Sequence, residues 1–197
     1  MRMSKNKRLR KIIISCLVLM FIVIDVFAGG NDTTSRKITH MFGVDLRPGY
    51  IFPTHEFFKG SNQAGRRIHT TLSGHLKYGF KFSDNTYLGK EYPHAVQGIG
   101  IAYNTFLNPS ELGNPLNVYV FQTSRIASIT TNLSFDYEWN FGTAFGWKQY
   151  DEEKNPLNMV VGSKINAYIN LGLLLNWQIT SNTSLRGGVG VTHYSNG

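Results

Sequence analysis

The chain of 197 residues carries 20 Lys and Arg against 12 Asp and Glu, which gives a net charge of +8 at pH 7. Six of the basic residues and one of the acidic residues lie within residues 1–28, so the remainder has 14 basic against 11 acidic residues. This small excess argues against a nucleic-acid-binding protein, whose phosphate contacts need a basic stripe. The single cysteine, Cys16, rules out a disulfide framework and a thiolate metal site.

Residues 1–28 have the pattern of a secretory signal peptide. The basic segment MRMSKNKRLRK precedes the apolar run IIISCLVLMFIVI, and cleavage is expected after Ala28. The run is shorter than the roughly 20 residues of a membrane-spanning helix. Cys16 follows a lipoprotein-like Ile-Ile-Ser, but most of the apolar run comes after it, which disfavours lipidation. We therefore predict one domain over residues 29–197.

Alternating apolar and polar residues dominate that domain. In SFDYEW, residues 134–139, aromatic residues alternate with Ser, Asp and Glu, and this period of two is that of a β-strand. Several of these segments exceed the usual strand length of about 5–6 residues. The pattern predicts seven strands near residues 41–52, 67–82, 97–106, 116–125, 131–148, 163–178 and 184–195, with turn-rich segments between them.

Long strands with one aliphatic and aromatic face and one polar face, in an exported protein, predict an all-β fold, namely an antiparallel outer-membrane β-barrel. A soluble β-sandwich or a lipocalin-like barrel shows the same alternation with its apolar face inward, so it stays an alternative. Lys77, Asp136 and Glu138 on the polar face favour a narrow, filled membrane barrel. Such barrels have even strand numbers from about eight. We expect about seven strands here and at least one more beyond Gly197, so that the barrel is incomplete at its C-terminus.

The last predicted strand ends in VTHYSNG, residues 191–197, and carries the candidate catalytic residues. His193 and Ser195 share the aliphatic face, separated by about 6.6 Å along the strand. A neutral imidazole at that distance can take the proton of a serine hydroxyl that attacks a carbonyl. Asn196 and the backbone around Gly197 are candidates for the oxyanion and substrate-binding role. A His-x-Ser sequence also occurs by chance at a barrel rim, where strands end in water.

THYSNG, together with SFDYEWNFGTAFGWK and AYNTFLNPSELGNPLNVYVFQ, resembles the PagL-type lipid A 3-O-deacylases, in particular the acyloxyacyl hydrolase-like members of Bacteroides-type bacteria. The resemblance implies an eight-stranded outer-membrane barrel that hydrolyses an ester-linked 3-hydroxyacyl chain of lipid A in lipopolysaccharide, without a metal or cofactor. It implies His193 as the base and Ser195 as the nucleophile, with Asn196 near the oxyanion. The implied partners are the lipid A substrate and outer-membrane lipid.

The family completes its triad with a Glu about a dozen residues after the serine, which would lie beyond Gly197. Asp45, Asp136 and Glu138 fall on the polar parity of their strands, so the barrel wall should separate them from His193. Glu152 and Glu153 belong to a predicted loop and stay open as substitutes. We expect a chain ending at Gly197 to be poorly active and poorly inserted. The alternatives are a structural or pore-type barrel without activity, or an inactive truncated copy of the deacylase.

Overall fold

Residues 25–29 and 37–196 are described by a computed structural model, with only the backbone described for residues 25–29 and Asn196. The strands within this part are β1 (Asp25–Gly29), β2 (Ile38–Tyr50), β3 (Thr70–Phe82), β4 (Val96–Thr105), β5 (Gly113–Ser128), β6 (Leu133–Trp147), β7 (Ile165–Gln178) and β8 (Thr183–Asn196). The helices are α1 (Glu56–Lys59) and α2 (Tyr87–Glu91). Neither of these described helices has the length and apolar character needed to span a membrane.

All seven predicted strands are confirmed as β2–β8, with ends that differ from the predicted ones by no more than three residues. Each is antiparallel to the next in sequence, and the sheet curls into a barrel. In β5 both ends differ by three residues, and its predicted start followed the turn-like Asn114-Pro115. The strand continues through this dipeptide because its register with β6 shifts between Gly113 and Leu116. Such a bulge removes the need for the ladder hydrogen bond that proline cannot donate.

The short strand β1 lies between β8 and β2 and closes the ring. Residues 25–28 pair with residues 183–186 of β8, and residues 28 and 29 pair with residues 42 and 41 of β2. These pairs cover only the end of the barrel at which β2 and β8 begin. The ring is therefore closed by strand pairing at one end, over a small part of the strand length.

The position of β1 differs from the sequence-based expectation. We expected a strand beyond Gly197 next to β8, but among the described residues β1 holds that place. The predicted cleavage point between Ala28 and Gly29 falls within β1. Residues 1–24 of the predicted signal peptide, and Gly197, lie outside the described residues. The signal peptide and the further strand stay predictions.

The two ends of the barrel carry different connections. The end at which β2 and β8 finish, here called the loop end, has the segments 51–69, 106–112 and 148–164. The opposite end, here called the turn end, has the segments 83–95, 129–132 and 179–182. Ser195 near the end of β8 therefore lies at the loop end.

Apolar side chains point out of the barrel and polar side chains point into it. Leu171 is 62% exposed and Val191 is 73% exposed, whereas Asn140 and Glu138 are 1% and 2% exposed. The buried apolar core lies inside the barrel toward the loop end, where Phe106, Trp147 and Tyr168 pack together with loop residues such as Phe57 and Ile68. The polar face thus points inward, as predicted for a barrel with an apolar outer surface, and opposite to the arrangement of a soluble barrel.

Four charged side chains cross the middle of the barrel. Lys77 Nζ lies 2.7 Å from Asp45 Oδ2 and 2.7 Å from Glu138 Oε2. Arg47 donates to Asp45 and reaches Glu138 Oε1 at 2.7 Å. Two cations therefore balance two carboxylates, which is the condition under which buried charges are tolerated. We call these four residues the mid-barrel ion-pair network.

Glu111 joins the three segments of the loop end. Its carboxylate accepts hydrogen bonds from the backbone N–H of Gln63 at 2.8 Å and from the side chain of Asn108 at 2.8 Å. Its backbone carbonyl accepts from the side chains of Asn155 at 2.9 Å and Asn158 at 2.7 Å. Glu111 is fully buried, and its bonds with Asn108, Asn155 and Asn158 are shielded from water.

Candidate active site

The outer face of β8 presents His193 and Ser195 side by side at the loop end. Both side chains are exposed, and their partners in β7 are Ile169 and Ala167. Val191 precedes them on the same face. The structure therefore brings the two predicted catalytic residues to neighbouring outward positions on an aliphatic surface, which is where the alternation of the strand put them.

Tyr194, between these two residues, holds β8 from the inside of the barrel. Its ring packs edge-on against Trp147 at a centroid distance of 4.9 Å and lies 6.2 Å from the ring of Phe106. Its hydroxyl accepts a hydrogen bond of 3.1 Å from the side chain of Asn117 on β5. Aromatic pairs at such distances stabilise by about 0.5–1.5 kcal/mol beyond the area that they bury. The backbone that carries His193 and Ser195 is thus anchored to the buried core.

Of the two residues predicted to bind the oxyanion and the substrate, Asn196 and Gly197, the structure describes only the backbone of Asn196. The backbone of Asn196 pairs with Asn166 at the end of β8. The side chain of Asn196 and the whole of Gly197 lie outside the described residues. Their assignment to the oxyanion stays a prediction.

The carboxylates of the described residues lie away from His193. Asp45, Asp136 and Glu138 are 1%, 5% and 2% exposed inside the barrel, which confirms that the barrel wall separates them from the outer face. Glu152 and Glu153 are exposed in the segment 148–164 at the loop end. Among the side chains that the structure describes, none forms a hydrogen bond or ion pair with the His193 imidazole.

A second serine and histidine pair, which the sequence reasoning missed, lies inside the barrel. Ser73 Oγ and His75 Nε2 are 2.9 Å apart, and His75 Nδ1 lies 2.8 Å from the hydroxyl of Tyr119. The sequence does contain the pattern that could have indicated this pair, because Ser73 and His75 are two residues apart among the polar, inward-facing positions of β3. Both are buried, so this pair has no surface on which to meet a substrate and instead satisfies polar groups of the interior.

Within the described residues, no group of three or more His, Cys, Asp or Glu side chains is placed so that it could hold a metal ion.

Comparison of the chain with protein-family models, with curated proteins and with solved structures finds no match. The chemistry and placement of its own residues are therefore what indicate a function for this chain.

Proposed function

We propose that the protein is an outer-membrane esterase that removes an ester-linked 3-hydroxyacyl chain from lipid A of lipopolysaccharide. The observation that carries this proposal is the placement of His193 and Ser195 next to each other on the aliphatic outer face, near the loop end. A hydrolytic pair on that face suits a substrate that is itself a lipid. The resemblance of THYSNG to the lipid A 3-O-deacylases is in accord with this choice of substrate.

The proposed location in the outer membrane is supported by the distribution of side chains. Exposed Leu, Ile and Val residues follow the strands on the outside, and such a surface is stable against hydrocarbon but not against water. In bacterial outer-membrane barrels the longer connections face the cell exterior. The loop end, and with it Ser195, would then lie in the outer leaflet, where lipid A is found.

The proposed reaction proceeds in two steps. His193 takes the proton of the Ser195 hydroxyl as the serine oxygen attacks the ester carbonyl, and the protonated imidazole then gives that proton to the sugar oxygen that leaves. Water, deprotonated by His193, next attacks the acyl-serine ester and releases a 3-hydroxy fatty acid. Backbone N–H groups near residues 196 and 197 would bind the negative oxygen of both tetrahedral intermediates.

Mass spectrometry of lipid A tests the proposal. The protein is produced from its full reading frame in a Gram-negative host, beside the variants Ser195→Ala, His193→Ala and the control Ser128→Ala. We expect the unmodified protein and Ser128→Ala to remove one hydroxyacyl chain, because Ser128 lies at the turn end. Ser195→Ala and His193→Ala should each lower the rate by more than about 10⁴-fold. Unchanged lipid A with the unmodified protein, or full activity of Ser195→Ala, would contradict an esterase.

A second candidate function is a structural barrel without activity, which includes an inactive copy of a deacylase. It is favoured by the lack of an orienting carboxylate on His193 among the described residues, since loss of that acid in serine hydrolases costs about 10⁴-fold in turnover. The mid-barrel ion-pair network argues against the pore-type version, because it bridges β2, β3 and β6 across the interior and its Lys77 and Glu138 are 3% and 2% exposed. A barrel of this class would insert into the outer membrane and leave lipid A unchanged in every variant.

A further inference from the structure

The half of β8 that carries His193 and Ser195 is paired with a neighbouring strand on one side only. Among the described residues, β8 pairs with β7 from Ser184 to Asn196, but with β1 only from Thr183 to Arg186. Residues 187–196 therefore have their strand pairing with β7 alone in this part of the chain. A strand held by one ladder opens locally more readily than a strand held by two. The proposed catalytic pair thus depends on support from another direction.

The two side chains next to His193 along the chain supply such support from inside the barrel. Because successive side chains of a strand point to opposite faces, an outward His193 has inward neighbours on both sides. Tyr194 is bound through its hydroxyl to Asn117 of β5. Thr192 accepts a hydrogen bond of 2.8 Å from the side-chain amide of Asn170, its partner on β7. Both inward neighbours of His193 are therefore hydrogen-bonded to interior side chains.

Asn170 forms hydrogen bonds through both ends of its amide. Its Nδ2 also donates, at 3.3 Å, to the backbone carbonyl oxygen of Val191. Its Oδ1 accepts hydrogen bonds from Arg47 Nη1 at 3.2 Å and from Asn140 Nδ2 at 3.3 Å. Asn170 is only 4% exposed, so loss of these partners would leave an unsatisfied polar group inside the barrel. One side chain thus connects the backbone of β8 with Arg47.

Arg47 gives this connection a fixed end, because it belongs to the mid-barrel ion-pair network. Its guanidinium binds the carboxylates of Asp45 and Glu138, and Lys77 binds the same two carboxylates. Charge-assisted hydrogen bonds of this kind are roughly twice as strong as neutral ones. The network joins β2, β3 and β6 by ion pairs, and Asn170 extends the connection to β7 and β8.

We propose that Asn170 is a positioning residue for the proposed esterase, because it fixes the backbone that carries His193. Asn170 lies inside the barrel and His193 outside, so Asn170 does not touch a substrate at His193 and acts through β8. By holding Thr192 and Val191, it keeps the imidazole in place relative to Ser195. A misplacement of about 1 Å in an active site can cost about 100-fold in rate. This inference rests on the proposed function and adds a catalytic role to the interior polar residues.

Deacylation kinetics on lipid A in detergent micelles test this role, with protein produced from its full reading frame. Asn170→Leu should lower kcat by about tenfold to a hundredfold and leave KM nearly unchanged, because the outer face keeps all of its side chains. Asn176→Leu is the matched control, since it removes an inward asparagine of the same strand at the turn end. Asn176 accepts a hydrogen bond from Arg186 of β8 at 3.4 Å and donates one to Ser134 at 3.4 Å. It should leave kcat unchanged.

Two substitutions of Thr192 test the same contact with a smaller change. Thr192→Val keeps the shape of the side chain and removes the hydroxyl that binds Asn170, so kcat should fall by about tenfold. Thr192→Ser keeps the hydroxyl and should retain the kcat of the unmodified protein. Equal values of kcat in the valine and serine variants would overturn the role of this hydrogen bond. The pair also decides the question if Asn170→Leu does not fold.

A nitroxide spin label on the variant Ser195→Cys, in a Cys16→Ser background, measures the mobility of β8 without any need for activity. The label should become more mobile in Asn170→Leu and stay unchanged in Asn176→Leu. Equal mobility in both variants would contradict the inference, because it would show general loosening of the sheet or none at all.

The two measurements separate failure of this inference from failure of the proposed function. An active protein in which Asn170→Leu changes neither kcat nor the label would contradict the positioning role alone. A label that becomes mobile while kcat stays unchanged would also contradict it. A mobile label in a protein that leaves lipid A intact would contradict the proposed function, and Asn170 would then anchor β8 without a part in catalysis.

Discussion

The side chain of Asn117 donates a hydrogen bond of 3.1 Å to the hydroxyl of Tyr194, and this bond ties β5 to the residue between His193 and Ser195. Tyr194→Phe keeps the ring on Trp147 and removes only the hydroxyl, so we expect a loss of about 0.5–1.5 kcal/mol in the free energy of unfolding. Tyr194→Ala also removes the ring, which should cost about 3–5 kcal/mol. Urea unfolding in detergent measures both.

The same two variants of Tyr194 show whether this residue holds the proposed site in place or only stabilises the barrel as a whole. Tyr194→Phe should retain most of the lipid A deacylation, whereas Tyr194→Ala should lose most of it at temperatures where the barrel is still folded. Tyr103→Ala serves as the control, because Tyr103 is an exposed tyrosine on the outer face of β4. An equal loss of activity in Tyr103→Ala would show that Tyr194 has no special role in holding β8.

Lys77 neutralises two buried carboxylates, so its loss should be among the most destabilising single changes in the barrel. Lys77→Met leaves Asp45 and Glu138 with Arg47 as their one remaining cationic partner among the described residues, and breaking a buried ion pair typically costs about 3–5 kcal/mol. Adding Glu138→Gln restores a balance of one cation to one carboxylate and should recover part of that loss. Heat-dependent mobility on gels reports the unfolding. Lys164→Met, at an exposed lysine of the loop end, should have little effect.

Leu171 lies at the middle of β7 on the outer face and is 62% exposed. In a barrel that spans a bilayer, Leu171→Lys should destabilise the inserted state by about 2–4 kcal/mol, since a lysine near the bilayer midplane has lost its water. Met159→Lys, in the segment 148–164, is the control, because Met159 is 73% exposed beyond the strands. Unfolding from lipid vesicles measures the difference. Equal effects at the two positions would argue against a bilayer around β7.

Gly100 leaves space for the ring of Tyr119, whereas Gly74 in the neighbouring strand has no atom close to the position of a Cβ. A Cβ on Gly100 would lie 2.4 Å from the Tyr119 ring, whereas a Cβ on Gly74 would meet nothing within 4 Å. Gly100→Ala should therefore cost about 1–3 kcal/mol by overpacking. Gly74→Ala should be neutral or slightly stabilising, because alanine loses less backbone entropy on folding. Thermal unfolding of the two variants compares them directly.

The alternation of residues along the chain predicts which residues of each strand face inward. It assigned Asp136 and Glu138 to the interior and His193 and Ser195 to the outer face, and the structure agrees in each case. This succeeds because the side-chain period of a strand is fixed at two, so one apolar position sets the direction of all the others.

Contacts between distant parts of the chain are not contained in that periodicity. The edge-on contact of Tyr194 with Trp147 depends on how strongly the sheet curls, and the bonds of Glu111 depend on where three irregular segments meet. The place of β1 was missed for a related reason. Residues 25–29 lie at the end of an export-signal pattern, and nothing in five residues specifies a pairing with both β8 and β2. The outward positions of His193 and Ser195 were therefore predictable, but the support behind them was not.

Glu111 couples the local unfolding of the three segments at the loop end. Its carboxylate accepts a hydrogen bond from the amide of Gln63 in one segment, and its carbonyl accepts from Asn155 and Asn158 in another. Because both acceptors belong to one fully buried residue, a movement of Glu111 that releases one segment also weakens the bonds to the other. Amide protons of the three segments would consequently exchange with solvent in one cooperative event and not as three independent loops. The three segments of the loop end are thus expected to open and close together.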